Sequence, residues 1–233
     1  MKKVFLLAVA SAALFFAQGA KAQTNFQTFY DLGRKHFTTT LEGFHQDNWG
    51  NTFFFIDYDY HNKDGNKVIS PNNTYFEIAR CLNFWGDSAL APLSLQVEYN
   101  GGFGTAANME VAFPVNSAFL FGLDWFLHTS DFNNTLNLKV LYKHFVGMTS
   151  KVPLQFTAVW GCQDLFGAKG LRFSGFVDVW CEYDHAVILS EPQLWYNCGT
   201  EHFNIGGEVE FSYNFAGMAG FNVMPCIGTK WVF

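Results

Sequence analysis

The sequence lacks a long apolar run beyond its first 22 residues. No later segment approaches the roughly 18 unbroken apolar residues that a membrane-spanning helix requires, which excludes a helical membrane protein. Basic residues are also scarce, with 14 Lys and Arg against 20 Asp and Glu and a formal net charge of −6 over 233 residues. This deficit argues against a protein that binds nucleic acid, because such proteins present a basic surface to the phosphates.

The chain also lacks the spacings that mark metal sites and catalytic motifs. Its five cysteines are an odd number without a CxxC pair, which argues against a disulfide framework or a zinc site and leaves open only a bridge between Cys162 and Cys198. The seven histidines form no metal-binding spacing, and there is no G-x-S-x-G elbow. We therefore expect no cofactor, no metal and no enzymatic activity, although a hydrolase site assembled from separate strands stays open as an alternative.

The first 22 residues have the features of a secretory signal peptide. Met1–Lys3 is positively charged, Val4–Phe16 is apolar, and Ala20–Ala22 has the small-x-small pattern that precedes cleavage. Removing residues 1–22 removes three lysines and leaves 11 basic against 20 acidic residues. No linker or change of composition divides the remainder, so residues 23–233 are predicted to form one domain.

Aromatic residues and alternating runs are abundant. Phe, Trp and Tyr make up 19% of the residues, which requires a large core or a lipid-facing wall. From residue 26 onward, runs of about seven to twelve residues alternate in character between clusters of Gly, Asn, Asp and Pro, the signature of an all-β chain. We predict twelve strands: Phe26–Leu32, Phe37–His45, Thr52–Tyr60, Thr74–Leu82, Leu93–Tyr99, Ala118–His128, Thr135–Phe145, Pro153–Gly161, Arg172–Tyr183, Val187–Tyr196, Ile205–Phe215 and Cys226–Phe233. Among the connections, Gln46–Gly50 suits a tight turn, whereas His61–Pro71 and Gly101–Val115 suit longer loops.

Each predicted strand has one apolar and one polar face. The last strand, for example, sets Ile227, Trp231 and Phe233 against Gly228 and Lys230. A soluble β-sandwich would show the same alternation. We favour a membrane barrel, because Tyr and Trp on the apolar faces lie near strand ends, as in interfacial girdles, and because the polar faces mix acids with aromatic side chains, which suits a narrow polar lumen. The predicted fold is an all-β, transmembrane, antiparallel up-and-down β-barrel of about twelve strands.

One strand departs from the pattern. Thr74–Leu82 places Arg80 on the apolar face beside Phe76 and Ile78. An arginine at the lipid midplane costs roughly 2–4 kcal/mol. Arg80 is therefore expected either to lie near the interface and snorkel or to be turned inward by a bulge.

The polar faces supply the candidate solute-contacting residues. Carboxylates would project inward from several strands, with Lys139, Lys143 and Arg172 as candidate partners. In one interpretation they form ion pairs and hydrogen bonds that only hold the interior together. In the other they form a hydrogen-bonding ladder for a small polar solute, with three aromatic rings as stacking surfaces. The candidates are Glu42, Phe44, Phe55, Asp57, Glu77, Glu98, Arg172, Asp178, Trp180, Glu208 and Glu210, and the stacking surfaces among them are Phe44, Phe55 and Trp180.

Several short strings go beyond generic barrel chemistry. In order, and after Leu41-Glu42, they are Asp47–Asp57 (DNWGNTFFFID), Tyr75–Arg80 (YFEIAR), Glu98–Gly102 (EYNGG), Phe173–Trp180 (FSGFVDVW), Ser190–Trp195 (SEPQLW), Glu208–Phe215 (EVEFSYNF) and Lys230–Phe233 (KWVF). Together they resemble the Tsx-like family of outer-membrane proteins, and most closely a branch of it described as a domain of unknown function. The resemblance covers nearly all of residues 26–233.

The resemblance implies a monomeric twelve-stranded barrel with a narrow, substrate-selective lumen, for which nucleosides are one candidate solute. We therefore expect an exported protein of the cell outer membrane that contacts lipid outside and lets small polar solutes, with nucleosides as the candidate, diffuse through its lumen. The alternative is a structural or interaction barrel whose lumen is plugged by its own side chains and which transports nothing.

Overall fold

The computed structural model describes residues 22–61, 70–105, 111–200 and 202–233, so residues 1–21 of the predicted signal peptide lie outside it. The described residues are almost entirely β-strand, with one 3-10 turn at Leu165–Gly167. Among them, no helix has the length and apolar character needed to cross a membrane. The strands are β1 (Ala22–Asp31), β2 (His36–Asp47), β3 (Gly50–His61), β4 (Ser70–Leu82), β5 (Leu93–Thr105), β6 (Ala112–His128), β7 (Asn134–Phe145), β8 (Leu154–Cys162), β9 (Leu171–Glu182), β10 (His185–Ser190), β11 (Gln193–Asn197), β12 (Phe203–Tyr213) and β13 (Phe221–Val232).

These strands form one closed antiparallel barrel. Apart from β10 and β11, which both pair with β9 and β12, strands adjacent in sequence pair with each other. β13 pairs with both β12 and β1, so that no edge is left open. Because β10 and β11 occupy one position between β9 and β12, the pieces make a twelve-stranded barrel, which confirms the predicted fold. We call the end where β1 begins and β13 ends the terminal end, and the opposite one the distal end.

Glu191 and Pro192 interrupt the tenth barrel strand. Pro192 has no N–H to donate to the ladder. The register is nevertheless unbroken, because β10 and β11 continue the same pairing with β9. Gly175 on β9 makes room at the break, since a Cβ there would lie only 2.6 Å from the carbonyl oxygen of Glu191. The predicted strand Val187–Tyr196 is therefore one strand in two pieces. Its side chains keep the same alternation between the inward and outward faces before and after the break.

The glycine-rich segment Gly101–Val115 was predicted to be a long loop, and this prediction is wrong. β5 and β6 both run into the segment and pair beyond a bulge between Asn100 and Gly102. Gly102 is needed for close approach to β4, because a Cβ there would lie 1.9 Å from the carbonyl oxygen of Thr74. Glycine in this hairpin therefore permits tight strand packing instead of ending the strands.

The outer wall of the barrel is apolar. In the described strands, Arg80 is the single Asp, Glu, Lys or Arg whose side chain does not line the interior. Exposed Trp49, Trp125 and Trp231 lie at the terminal end, and exposed Tyr58, Tyr183 and Tyr213 lie at the distal end. Between these ends the wall carries exposed large side chains that include Leu41, Ile78, Val97, Phe121, Leu138, Phe156, Leu194, Ile205 and Val223.

Arg80 lies on the outer wall near the terminal end. Its guanidinium donates to Asp47 over 2.8 Å and to Thr52 over 3.1 Å, at the turn between β2 and β3. The register between β3 and β4 is regular here, so no bulge turns the side chain inward. The first of the two expectations is therefore correct, since Arg80 reaches the polar end of the barrel.

A compact apolar cluster lies inside the barrel. Its members are on the inward faces of β6, β7, β9 and β10. Met148, Leu189 and Phe215 pack against the cluster, which fills one side of the interior toward the distal end. The buried members are Ala118, Leu120, Leu141, Phe145, Trp180 and Val187.

None of the cysteines forms a disulfide. All five are free, including Cys162 and Cys198, for which the sequence leaves a bridge open. Cys81 is buried, with its Sγ 3.4 Å from Oε1 of Gln96. The barrel is therefore closed by its strand ladder without a covalent link.

Candidate functional site

The interior of the barrel contains one large cavity of about 2070 Å³. Its lining includes Asn48 and Trp49 at the terminal end and Ala216 and Met218 at the distal end, so it reaches both ends of the barrel. Of the side chains that the structure describes, thirteen acidic and five basic ones line it. The lining therefore has eight more acidic than basic groups.

The structure places all eleven candidate residues on the wall of this cavity. This follows from the strand geometry, because side chains at alternate positions share one face. The placement brings the candidates together, while their contact with a solute stays a prediction. The residues are Glu42, Phe44, Phe55, Asp57, Glu77, Glu98, Arg172, Asp178, Trp180, Glu208 and Glu210.

Several carboxylates face each other across the lumen. Asp57 on β3 interacts electrostatically with Glu208 on β12, although three strands separate them in the sheet. Glu77 on β4 interacts in the same way with Asp178 on β9, with four strands between them. Such side chains can meet only through the interior. We call Asp57, Glu77, Glu98, Asp178, Glu191 and Glu208 the carboxylate ring.

Two diagonal neighbours complete the carboxylate ring. Asp57 pairs with Tyr75, two residues from Glu77, and Asp178 pairs with Leu189, two residues from Glu191. Diagonal side chains on one face of a sheet lie about 7–8 Å apart. The ring thus runs around the lumen, from β3 through β5 on one side and from β9 through β12 on the other.

Sequence reasoning missed Glu191 as a member of this ring. It interacts electrostatically with Glu208, Asp57 and Glu210, in that order of strength. The predicted strand Val187–Tyr196 contains Glu191, but the residue is absent from the predicted candidates. The signal was nevertheless present, because Glu191 has the same parity as the lumen-lining Gln193.

At every candidate carboxylate except Glu210, the hydrogen-bond donors among the described residues are neutral groups and not basic side chains. Among the described residues, Lys139, Lys143 and Arg172 form no direct ion pair with them, although Lys139 and Lys143 interact electrostatically with Glu98 and Asp178. The expected partnership of the two lysines is therefore one of longer-range attraction. The neutral donors are Asn25 to Glu42 (2.8 Å), Thr40 to Asp57 (2.5 Å), Tyr75 to Glu77 (2.7 Å), Gln96 to Glu98 (2.7 Å), Thr157 to Asp178, and Gln193 to Glu208 (2.9 Å).

Two lumen lysines lie over tryptophan rings instead. Lys143 Nζ lies 4.2 Å from the ring centroid of Trp180 and donates to Gln155 over 2.7 Å. Lys230 Nζ lies 4.5 Å from the ring centroid of Trp195. With Trp180 only 9% exposed and one face covered by a lysine, its ring offers little stacking surface to a solute.

Arg172 lines the cavity on β9, opposite Trp195 of β11. Its Nε is buried without a hydrogen-bond partner among the described residues. Arg172 and Lys230 interact electrostatically as like charges. These two basic groups therefore lie near each other, and Lys230 also interacts electrostatically with Glu42 and Glu208.

An aromatic strip follows the inner wall of β2, β3 and β4. It consists of Phe44, Phe53, Phe55 and Tyr75, all of which line the cavity. Phe53 and Phe55 have ring centroids 6.1 Å apart, and those of Phe55 and Tyr75 are 5.9 Å apart. Phe44 is directly opposite Phe53 in the strand pairing and is 41% exposed. Phe44 and Phe55, two of the three predicted stacking surfaces, therefore belong to one continuous aromatic surface.

Arg34 joins two walls at the distal end. It lies in the turn between β1 and β2, where its guanidinium donates to Glu210 and lies 3.4 Å from Asp31. Burial works against its charge, but the hydrogen bond from Arg34 to Glu210 and the charges of Glu210 and Asp31 raise the pKa of Arg34 above its usual value. Glu210, a predicted site residue, is thus the candidate carboxylate with a basic partner.

The described lumen residues do not form the arrangement that a metal ion requires. In the part of the chain that the structure describes, no group of three or more His, Cys, Asp or Glu side chains is close enough to hold a metal ion. The carboxylate ring is thus spread around a wide cavity. Its chemistry is that of dispersed hydrogen-bond acceptors.

Comparisons with known proteins found one matching family and several solved porin structures of low sequence identity. The model of the family DUF5020, described as a domain of unknown function, matches residues 22–233. No curated protein matches the chain. Among solved structures, a mutant of Rh. blastica porin has 11% identity and a TM-score of 0.40, covering 92% of this chain and 99% of the porin. A BenF-like porin from Pseudomonas fluorescens Pf-5 has 8% identity and a TM-score of 0.40, covering 94% and 99%.

Proposed function

This chain belongs to the DUF5020 family, and we propose that it is an outer-membrane channel through which small polar solutes diffuse. The observation that carries the proposal is the cavity, which is lined by residues of both barrel ends. An apolar outer wall suits lipid, and closure of the sheet leaves no backbone edge for the lipid to cover. The predicted signal peptide, of which residues 1–21 lie outside the described part, would direct export, and we propose that the mature barrel is a monomer.

The charge of the lining sets the expected selectivity. Eight more acidic than basic groups face the cavity, and most of the candidate carboxylates have no basic partner among the described residues. Rings of Asp and Glu favour cations in a pore. The channel should therefore admit cations and neutral polar solutes and disfavour anions. Diffusion through such a channel requires no catalytic step.

Nucleosides are the finer proposal for the solute. They are implied by the resemblance of the strand motifs to the Tsx-like family. The lumen offers aromatic faces at Phe44 and Phe55 for a base and hydrogen-bond acceptors at Asp57 and Glu77 for ribose hydroxyls. Stacking on Trp180 is not part of this proposal, because Lys143 covers that ring.

The second candidate function is a structural barrel without transport. The apolar cluster inside the barrel favours it, because Leu120 and Leu141 fill space that a channel would leave to water. The cluster lies on the side formed by β6 to β10. In a channel, solutes would pass beside it along β2, β3 and β4.

Conductance of the purified protein in a planar bilayer tests the proposal. We expect stable single-channel steps in KCl, preference for K⁺ over Cl⁻, and reduced current when nucleoside is added. A protein that inserts and shows a heat-modifiable band on a gel, yet passes no current, would contradict the channel. In that case the double variant Leu120→Ala and Leu141→Ala should begin to conduct, because it removes the interior cluster.

A further inference from the structure

We infer that the lumen selects organic cations that carry an aromatic ring, binding the ring on the aromatic strip and the cation at the adjacent carboxylates. This inference rests on the proposed channel function and names its solute class. It concerns one wall of the cavity, formed by β2, β3 and β4. Aromatic and acidic side chains alternate there on the same inward face.

The pairing of the strands interleaves the two kinds of side chain. Phe55 is directly opposite both Glu42 and Glu77, one on each neighbouring strand. Asp57 is directly opposite Tyr75. Side chains directly opposite each other on one face have Cβ atoms about 4.5–5.5 Å apart. A ring lying on Phe55 would therefore have carboxylates within reach on two sides.

Both kinds of group favour positive charge in a ligand. An ionised carboxylate only accepts hydrogen bonds, so it suits a group that is rich in N–H donors. The face of an aromatic ring is electrostatically negative and attracts a cation that lies over it. A neutral ring gains only the stacking contribution, and an anion is repelled. An ammonium attached to a ring gains from both groups at once.

The lumen already holds cations over aromatic rings on another wall. Lys143 and Lys230 lie over Trp180 and Trp195. No such lysine or arginine lies over the aromatic strip within the described ranges. The strip nevertheless has carboxylates directly opposite its rings in the strand pairing. The strip is thus an aromatic surface of the lumen that none of the described lysines and arginines covers.

An unpaired acceptor adjoins the carboxylate ring. Glu210 is 6% exposed, and its Oε2 accepts from Arg34. Its Oε1 is buried without a hydrogen-bond partner among the described residues. Glu210 also interacts electrostatically with Glu191 of the ring. A buried carboxylate oxygen without a donor is costly. The Oε1 atom of Glu210 therefore suits a ligand that supplies N–H groups near Glu210 and Glu191.

Three probes of related shape separate the contributions. Ethylammonium has the charge without the ring, 2-phenylethanol has the ring without the charge, and phenethylammonium has both. Each is added to a KCl-conducting channel, and the concentration that halves the current is measured. We expect phenethylammonium to half-block at a concentration at least about tenfold lower than either of the others, since ion pairing and cation–π attraction act together.

Two double variants assign the block to the strip. Phe53→Leu with Phe55→Leu keeps apolar bulk but removes the ring faces, so phenethylammonium should become no better a blocker than ethylammonium. Phe121→Leu with Phe156→Leu, on the outer wall, is the matched control. It should leave the block by phenethylammonium and the block by ethylammonium unchanged. The heat-modifiable band reports folding of both variants.

The outcomes for the inference and for the channel differ. A channel that conducts KCl but is blocked equally by phenethylammonium and 2-phenylethanol overturns the inference and leaves the channel intact. Stronger block by adenosine than by phenethylammonium also overturns it, in favour of a neutral nucleoside. Absence of any current contradicts the channel itself.

Discussion

Neutralising two acids of the carboxylate ring should weaken cation selectivity while leaving the barrel folded. The perturbation is Asp57→Asn together with Glu98→Gln. Asp57 accepts from Thr40 over 2.5 Å, and Glu98 accepts from Gln96 over 2.7 Å. An amide keeps a carbonyl oxygen as acceptor in each place, so these hydrogen bonds can persist. The change removes two negative charges with little change in shape.

The size of the effect follows from the Coulomb interaction with a passing ion. For an ion about 6 Å from a carboxylate in a water-like medium, the attraction is about 0.7 kcal/mol. Screening at about 0.1 M salt, where the Debye length is about 10 Å, reduces this to about 0.4 kcal/mol. Two carboxylates then contribute about 0.8 kcal/mol, with opposite signs for cation and anion. The ratio of K⁺ to Cl⁻ permeability should therefore fall by roughly tenfold to fifteenfold.

The assay is the reversal potential in a KCl gradient across a planar bilayer, together with the unfolding midpoint of the same variant. Recording at neutral and at mildly alkaline pH compares the selectivity before and after further loss of protons from the carboxyls. The matched control is Asp87→Asn with Asp184→Asn, which removes the same charge from two exposed loop residues that do not line the cavity. We expect the control to keep the selectivity of the unmodified protein.

Two results would refute this reasoning. If the lumen double variant lowers the unfolding midpoint and leaves the reversal potential unchanged, the carboxylates serve only to hold the interior together. If the loop control shifts the reversal potential as much as the lumen variant, then overall charge and not the carboxylate ring sets selectivity. In either case the interpretation of the ring as a selectivity element is wrong.

Three further predictions address closure, the outer wall and the thiols. Deleting Trp231–Phe233 removes ladder bonds on both sides of β13, so assembly should fail and the heat-modifiable band should disappear; a normally folded product would argue for an open sheet. Arg80→Ala should lower the free energy of unfolding by only about 0–1 kcal/mol, since the ion pair of Arg80 with Asp47 is exposed to solvent. Ile78→Arg on the same lipid-facing wall should lower it by about 2–4 kcal/mol. Denaturant unfolding from vesicles measures both. Alkylation of the unreduced, denatured protein should add five groups by mass, whereas three would reveal a disulfide.

The faces of the strands could be predicted from the sequence, because side-chain direction in a strand depends only on parity. All eleven candidate residues were assigned to the polar face, and all of them line the cavity. Parity also survives the break at Glu191 and Pro192, since the register there is continuous. What parity cannot give is the extent of a strand. The hairpin through Gly102 was misjudged because glycine both ends strands and permits their close approach.

The partners of the lumen side chains could not be predicted from the sequence. Acids and lysines on polar faces suggested ion pairs, yet Lys143 lies over Trp180 and donates to an amide. Which side chains meet across a barrel depends on its closure and on the tilt of its strands. The contact of Asp57 with Glu208 joins strands at opposite ends of the sequence and became visible only after closure. The same holds for Arg34, whose partner Glu210 lies 176 residues away.

The carboxylate ring is best explained by function, because it is not what a purely structural interior requires. The ring places six acids in one lumen, and hydrogen bonds to five of them come from neutral donors such as Thr40 and Gln96. Amides in the same positions would accept those bonds without mutual repulsion. Like charges held near one another destabilise the folded state, so the ring opposes stability unless counter-charges enter the lumen. In the proposed channel, mobile cations or cationic solutes would supply that counter-charge, so the negative lining and passage through the barrel would be linked.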